Sequence, residues 1–447
     1  MPLRPPGIPS LAGLPGGDRG RKVQRPYWCF VTQMVVRSNG ALEGVVRVSG
    51  AKNSALKLMA ATLLAEGEYR LRNVPAITDV DTMTELLTFM GVAVTRSGRD
   101  ELVLGRGPDC GTEAPYELVE RMRASIVVLG PLLGRVGQAR VAMPGGDDFG
   151  SRPIDMHLGG LEQMGATFQI RHGYIEATAD QLLGARIVLE FPSVGATENL
   201  LLAAVLAKGT TVIENAAREP EIADLAAFLN RMGAVIVGAG SSTIRIEGVE
   251  DLTPVDHTVI PDRIEAATYL AAVALAGGEI ALDGARPDHM DMFIKKLGDM
   301  GVRVAPTSGG VWAASRSRLH SVDVSTLPYP GIATDYKPLF VAMLSVADGV
   351  AIVTENLFAG RFKYVSELIR MGADIRTEGH HAVVRGRPRL SGAPVRASDI
   401  RAGAALVVAG LAAEGETVIA DAHHIDRGYE DLPARLRALG GDVTRIA

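Results

Sequence analysis

The sequence predicts an α/β protein of two domains, each assembled from three related units. Three observations predict it. The chain has 447 residues, 47% hydrophobic and 22% charged, a globular balance with apolar material for more than one core. A short pattern recurs six times: Leu, two variable residues, Met or Leu, Gly, a small residue, then an alternating apolar stretch. It spans residues 87–94, 161–168, 229–236, 297–304, 368–375 and 436–443, with its glycines 74, 68, 68, 71 and 68 residues apart. Ahead of each copy, an apolar segment of small residues ends near Gly67, Gly137, Gly209, Gly278, Gly349 or Gly415. A β-like run follows, as in LLAEGEYRLRNV and VLAKGTTVIENA. Near-constant spacing over the whole chain is the mark of repeated structural units.

Residues 1–33 come first. Their opening 27 residues are rich in Pro, Gly and Arg, lack apolar periodicity and hold no continuous apolar run of the kind a signal peptide needs. They read as a disordered extension, with Met34 a plausible start of the folded chain. The run VVRVSG at 45–50 predicts a strand ahead of the first unit, which alone could pair with either domain. Each unit then reads as an apolar helix, a strand, an amphipathic helix closed by a Gly C-cap, and a strand. The apolar helix has few charges on any face, so it is expected to be buried. Six units of about 70 residues exceed one core. Residues 52–259 are therefore assigned to domain one, and residues 34–51 with 260–447 to domain two.

Charge and cysteine content exclude several classes. The net charge of −5 gives no general attraction to nucleic acid or anionic membrane, and no basic run interleaved with aromatics occurs. Cys29 and Cys110 are too few for a disulfide framework and form no metal-ligand pattern, which fits a reducing cytoplasm. No apolar run approaches a membrane span.

Chemistry is expected where the buried helices begin. Their openings carry Lys52-Asn53, Arg121 to Ser125, Pro192 to Thr197, Pro261-Asp262-Arg263, Thr334-Asp335 and Asp399-Ile400-Arg401. Helix N-termini present free N–H groups and partial positive charge, so they attract anions. Ser398, Asp399, Asp262 and Asp335 are equally good capping types. The recurrence of Lys52, Arg123 and Arg401 at one structural position favours an anion-binding cleft between the domains. Two loops add to it: the charged, glycine-rich segment at 144–153, suited to a lid, and His424 to Tyr429, which sets Arg427 in a turn before the last helix.

Taken together, GAKN at 50–53, MRAS at 122–125, PGG…RP at 144–153, PSVGAT at 192–197, ENAAREPEI at 214–222 and HIDRGYE at 424–430 resemble the UDP-N-acetylglucosamine 1-carboxyvinyltransferases. These MurA-type enzymes begin peptidoglycan precursor synthesis. The resemblance covers nearly the whole chain from about residue 42. It implies a two-domain inside-out α/β barrel of six βαβαββ-type units, shared with the enolpyruvyl-shikimate-phosphate synthases. It also implies transfer of the enolpyruvyl group of phosphoenolpyruvate to the 3-hydroxyl of UDP-N-acetylglucosamine, with neither metal nor organic cofactor.

By the same resemblance Lys52, Asn53, Arg152, Arg361, Arg401 and Arg427 hold phosphoenolpyruvate. Asn53, Arg123, Arg152, Pro153, Ile154, Asp155, Met156, Pro192, Ser193, Val194, Asp335, Leu357 and Phe358 hold the nucleotide sugar. Lys52, Asp147, Asp335, Asp399 and Arg427 take part in catalysis, with Asp335 the candidate base and Asp147 the candidate acid. Most of the family has Cys where this chain has Asp147, so fosfomycin, which alkylates that Cys, finds no thiol there. The family usually reads Phe-Pro-Thr-Asp-Met/Leu-Gln where this chain has Ile332, Ala333, Thr334, Asp335, Tyr336 and Lys337. That exchange sets a lysine beside the candidate base. It is compatible with neutral repacking or with another acceptor such as uridine monophosphate. A non-catalytic paralogue that binds sugar nucleotide is the third reading, disfavoured by the retained candidate base.

Overall fold

The computed structural model describes residues 32–145, 153–358 and 360–446. Among them, six four-stranded sheets share one strand order. In the sheet built on Gln138–Ala142, the short strand Glu113–Ala114 runs parallel at one edge. The hairpin Thr167–Arg171 and Tyr174–Thr178 is antiparallel on the other side. The same arrangement recurs around Gly67–Arg72, Thr210–Glu214, Gly278–Asp283, Val350–Thr354 and Glu416–Ala420.

Apolar helices precede these central strands: Lys52–Ala61, Leu129–Val136, Val194–Ala204, Arg263–Ala276, Lys337–Leu344 and Ile400–Gly410. They are buried along most of their length, as helices without a charged face must be. Small residues let them approach closely. A Cβ on Gly130 would lie 2.3 Å from the Asn199 carbonyl oxygen of the neighbouring helix. The second, amphipathic helices end at Gly91, Gly165, Gly233, Gly301, Gly372 and Gly440, all with φ between 89° and 108°, a region that glycine enters without penalty.

Apolar side chains gather into two clusters. One runs from Ala51 to Val259. The other joins Met34 to Val48 with Ile264 to Val443. The chain passes between them twice, at residues 48–51 and 259–262, and the two passages bond to each other. Ala51 N–H donates to the Ile260 carbonyl (2.7 Å) and Asp262 N–H to the Ser49 carbonyl (2.8 Å). A Cβ on Gly50 would sit 1.6 Å from the Asn73 carbonyl oxygen, so the passage needs glycine there.

The sheets are completed from remote sequence. Asp256–Thr258 edges the sheet of Gly67–Arg72, and Leu42–Arg47 edges that of Gly278–Asp283. The run expected as a strand at 45–50 is thus a strand at 42–47 followed by the crossing passage, and its partner lies in the second cluster. Gln33–Arg37 enters the last sheet between Glu416–Ala420 and Asp442–Ile446. Gln33, assigned from sequence to the extension, is therefore already paired, opposite Ile446. A polar first residue hides a strand start from hydrophobic patterning. No helix among the described residues is long and apolar enough to cross a membrane.

Candidate active site

The starts of the six apolar helices, or the residues that lead into them, reach one cleft of about 600 Å³ between the two clusters, lined by Lys52, Arg123, Val194, Arg263, Asp335 and Arg401 among others. A volume of that size accommodates a ligand of nucleotide-sugar dimensions. Capping holds the helix starts in place. Ser193 Oγ accepts from Ala196 N–H (3.3 Å), and Asp399 Oδ1 accepts from Arg401 N–H (2.9 Å) and Ala402 N–H (3.0 Å). Asp262 serves two helices. Its Oδ1 accepts from Ile264 N–H (2.7 Å) and Glu265 N–H (3.1 Å), and its Oδ2 from Lys52 N–H (3.1 Å).

Asp335 does not cap. The next helix is entered through Tyr336, and the Asp335 carboxylate is turned to the cleft. Arg361 Nη1 donates to its Oδ1 (2.9 Å) and Arg401 Nε to its Oδ2 (3.1 Å). Burial alone would raise this carboxyl, but the two guanidinium groups outweigh it and hold Asp335 well below the usual carboxylate range. A matching cluster lies beside it. Lys52 Nζ is 2.7 Å from Asp79 Oδ2, and Arg427 Nε is 2.9 Å from Asp79 Oδ1. Burial, with Arg401 and Arg427 close by, pulls the Lys52 ammonium below the usual lysine range against the pull of Asp79. Asp79 would be raised by burial, but Lys52 and Arg427 leave it below its ordinary value. Two carboxylates thus occupy four cations.

Further charged groups line the rest of the cleft. Glu198, 3.5 Å from Lys57, is pushed up to about 7 by burial. His157 is pushed down to about 4 by burial and Arg123. Its Nδ1 lies 2.8 Å from Asn199 Nδ2, so the hydrogen-bond network assigns a neutral ring with its proton on Nε2. Arg263 Nε bonds Glu221 (3.0 Å), and its Nη1 donates to Tyr336 Oη (3.3 Å).

Of the residues singled out from sequence, Lys52, Asn53, Arg123, Pro153, Met156, Pro192, Ser193, Val194, Asp335, Leu357, Phe358, Arg361, Arg401 and Arg427 line the cleft. Three do not line it. Ile154 is buried in the first apolar cluster. Asp155 is exposed in the first turn of the helix Asp155–Gln163. Asp399 is spent on its cap. Asp147, Asp148 and Arg152 lie outside the described residues.

Lys337 corrects an expectation. It does not join the acceptor side of the cleft but is fully buried, with Nζ 2.8 Å from Glu355 Oε2. A lysine at the first helical position whose neighbours are Leu, Phe and Val turns inward with them when a carboxylate waits there. Asp79, Glu198, His157, Glu221 and Arg263 are further cleft residues. Sequence marked only Arg263 among them, because an acidic residue in a first helical turn, such as Asp79, reads equally as dipole compensation.

A second, shallower depression of about 510 Å³ surrounds Arg106 and Cys110, and no cluster of cations converges on it.

Residues 36–436 match the family described as EPSP synthase (3-phosphoshikimate 1-carboxyvinyltransferase). The chain is 51% identical over 414 residues to the UDP-N-acetylglucosamine 1-carboxyvinyltransferase of Mycolicibacterium paratuberculosis, covering 93% of this chain and 99% of that one. It is 52% identical over 441 residues to UDP-N-acetylglucosamine 1-carboxyvinyltransferase 1 of Symbiobacterium thermophilum, covering 97% and 99%. Its structure is similar to that of the enolpyruvyl transferase NikO from Streptomyces tendae, with a TM-score of 0.83 at 28% identity over 93% and 99% of the two chains.

Proposed function

The chain belongs to the EPSP synthase family, and from that premise we propose that it transfers the enolpyruvyl group of phosphoenolpyruvate to the 3-hydroxyl of UDP-N-acetylglucosamine, releasing phosphate. The reading places the protein in the cytoplasm, at the first committed step of peptidoglycan precursor synthesis. In fold terms it makes the two apolar clusters the cores of two inside-out α/β barrels, each of three βαβαββ units. The observation that carries it is the pair of cation clusters, Lys52 with Arg427 and Arg361 with Arg401, facing one cleft.

The donor carries a carboxylate and a phosphate, and guanidinium forks suit both. Each donor anion competes with an internal carboxylate for its cations. As phosphoenolpyruvate takes Arg361 and Arg401, Asp335 loses the partners that depress its basicity. It can then accept the proton of an acceptor hydroxyl. That hydroxyl adds to C2 while C3 gains a proton, for which Asp147 is the candidate donor. Loss of a C3 proton with phosphate then restores the vinyl group. Asn53, Arg123, Arg152, Pro153, Met156, the Pro192–Val194 stretch, Leu357 and Phe358 hold the nucleotide sugar. Two half-sites that must meet around the substrates imply closure of the cleft.

Phosphate release from phosphoenolpyruvate is the test, run with UDP-N-acetylglucosamine, uridine diphosphate and uridine monophosphate in parallel. Release with the sugar nucleotide alone is expected. Release only with a simple nucleotide would re-assign the acceptor, and none with any of them would remove the catalytic reading.

A further inference from the structure

Lys337 is fully buried, yet it touches the site through two of its parts. Its ammonium lies 2.8 Å from Glu355 Oε2 and donates to the Arg361 carbonyl oxygen at 2.5 Å, over the Phe362 ring at 3.9 Å. Glu355 in turn gathers the residues around the cleft. Its Oε1 accepts from Leu357 N–H (2.8 Å), Phe358 N–H (3.1 Å) and Thr326 Oγ1 (2.8 Å). Its Oε2 accepts from Thr334 Oγ1 (2.7 Å). Thr334 also receives Arg361 Nη1 at 2.9 Å, the nitrogen that reaches Asp335. Arg361 is thus held at both ends by one network, at its backbone by Lys337 and at its guanidinium by Thr334 and Asp335. In a low-dielectric interior the hydrogen bonds of such a chain strengthen one another.

We propose that Lys337 is a positioning residue: its ammonium, paired with Glu355, fixes Arg361 and the Leu357–Phe358 turn in the geometry that receives phosphoenolpyruvate and the nucleotide. The proposal rests on the enolpyruvyl-transfer reading. It also gives the segment at 332–337 a role that needs no change of acceptor. The charged groups that face Lys337 are Glu355, Arg361 and Asp399. Burial, partly offset by Glu355, brings the ammonium down to about 8, so it is charged at neutral pH and loses its charge within an accessible range.

The experiment compares full-length wild type with Lys337→Met, which fills the same space without charge, and with Glu355→Gln. Steady-state phosphate release is measured from pH 6 to 9.5, with thermal unfolding of each variant. In wild type, kcat/KM for phosphoenolpyruvate is expected to fall above about pH 8. In Lys337→Met the KM for phosphoenolpyruvate is expected to rise by about tenfold or more, the loss typical of one charge-assisted hydrogen bond, and the alkaline fall to disappear. A folded Lys337→Met with wild-type KM, or with the alkaline fall intact, would overturn the role. So would a loss confined to the amount of active protein.

Should Lys337→Met not fold, Glu355→Gln decides. Without its counter-charge Lys337 gives up its proton more readily, so the alkaline fall moves to lower pH, and an unmoved fall refutes the proposal. Calorimetric titration of phosphoenolpyruvate separates this from the broader reading. If wild type binds the donor but releases no phosphate, the reaction fails as assigned. Weaker binding by Lys337→Met would still support the positioning role, and equal binding would end it.

Discussion

Asp335 is 26% exposed at its side chain and bonded to two arginines, a poor base until those arginines are drawn away. On the proposed reading, Asp335 is freed as a base only once a donor anion has taken those arginines. Asp335→Asn keeps the shape and can still accept one guanidinium hydrogen bond, but it cannot take a proton. Its kcat is expected to fall by about 10²–10⁴-fold, with phosphoenolpyruvate affinity unchanged or tighter because the competing charge is gone. A variant that loses donor affinity and kcat in proportion would show Asp335 to be a binding group instead. Of its two cations, Arg401 was legible in sequence because Lys52, Arg123 and Arg401 recur at helix starts, where a positive side chain adds to the dipole rather than opposing it, whereas Arg361 was marked only by the family resemblance. Asp79 and Glu355 were not legible. Each is a carboxylate in a position where capping or a surface ion pair is the common use, and only the fold shows them buried against Lys52 and Lys337.

At the scale of elements, the helix starts matter as much as the side chains on them. Asp262 caps the helix Arg263–Ala276 and accepts the Lys52 N–H that opens the helix Lys52–Ala61. One carboxylate therefore fixes two of the N-termini facing the cleft, from both apolar clusters. Asp262→Ala removes both caps, and a loss of about 2 kcal/mol is expected in urea unfolding, against about 1 kcal/mol for Ser193→Ala, which removes one. Equal losses would mean that the Lys52 N–H finds another acceptor. The apolar helices and their Gly-terminated partners were legible because burial leaves few charges and a positive φ calls for glycine. The edge strands were not. Glu113–Ala114 and Val324–Ser325 have two residues each, too short to show alternation. The helix expected to open at Arg121 starts instead as a 3₁₀ turn at Arg123–Val128 before Leu129–Val136.

The whole molecule is closed by its ends and by its crossings. Glu430 joins the two apolar clusters: Arg99 donates to it from one (2.9 Å), and Arg435 lies 3.3 Å away from the other. In the last sheet Gln33–Arg37 takes the place that a hairpin strand holds in the others. Spacing within the sequence does not reveal this, since the partners stand some 400 positions apart. Met34, Val35 and Val36 are buried there at 0%, 2% and 0% exposure. Burying three such side chains contributes about 5–9 kcal/mol, before the two ladders of backbone hydrogen bonds. A domain's net stability is about 5–15 kcal/mol. A chain that starts at Asn39 is therefore expected to lose cooperative unfolding of the half that carries Asp335, Arg361, Arg401 and Arg427, and with it phosphate release. One that starts at Gln33 keeps every pairing of that sheet. If the chain from Asn39 unfolds at the wild-type midpoint by circular dichroism, the strand is an accessory of the last sheet. If the midpoint collapses and a peptide of residues 32–38 restores it, the strand completes the fold in trans, and the site depends on a segment that touches none of its residues.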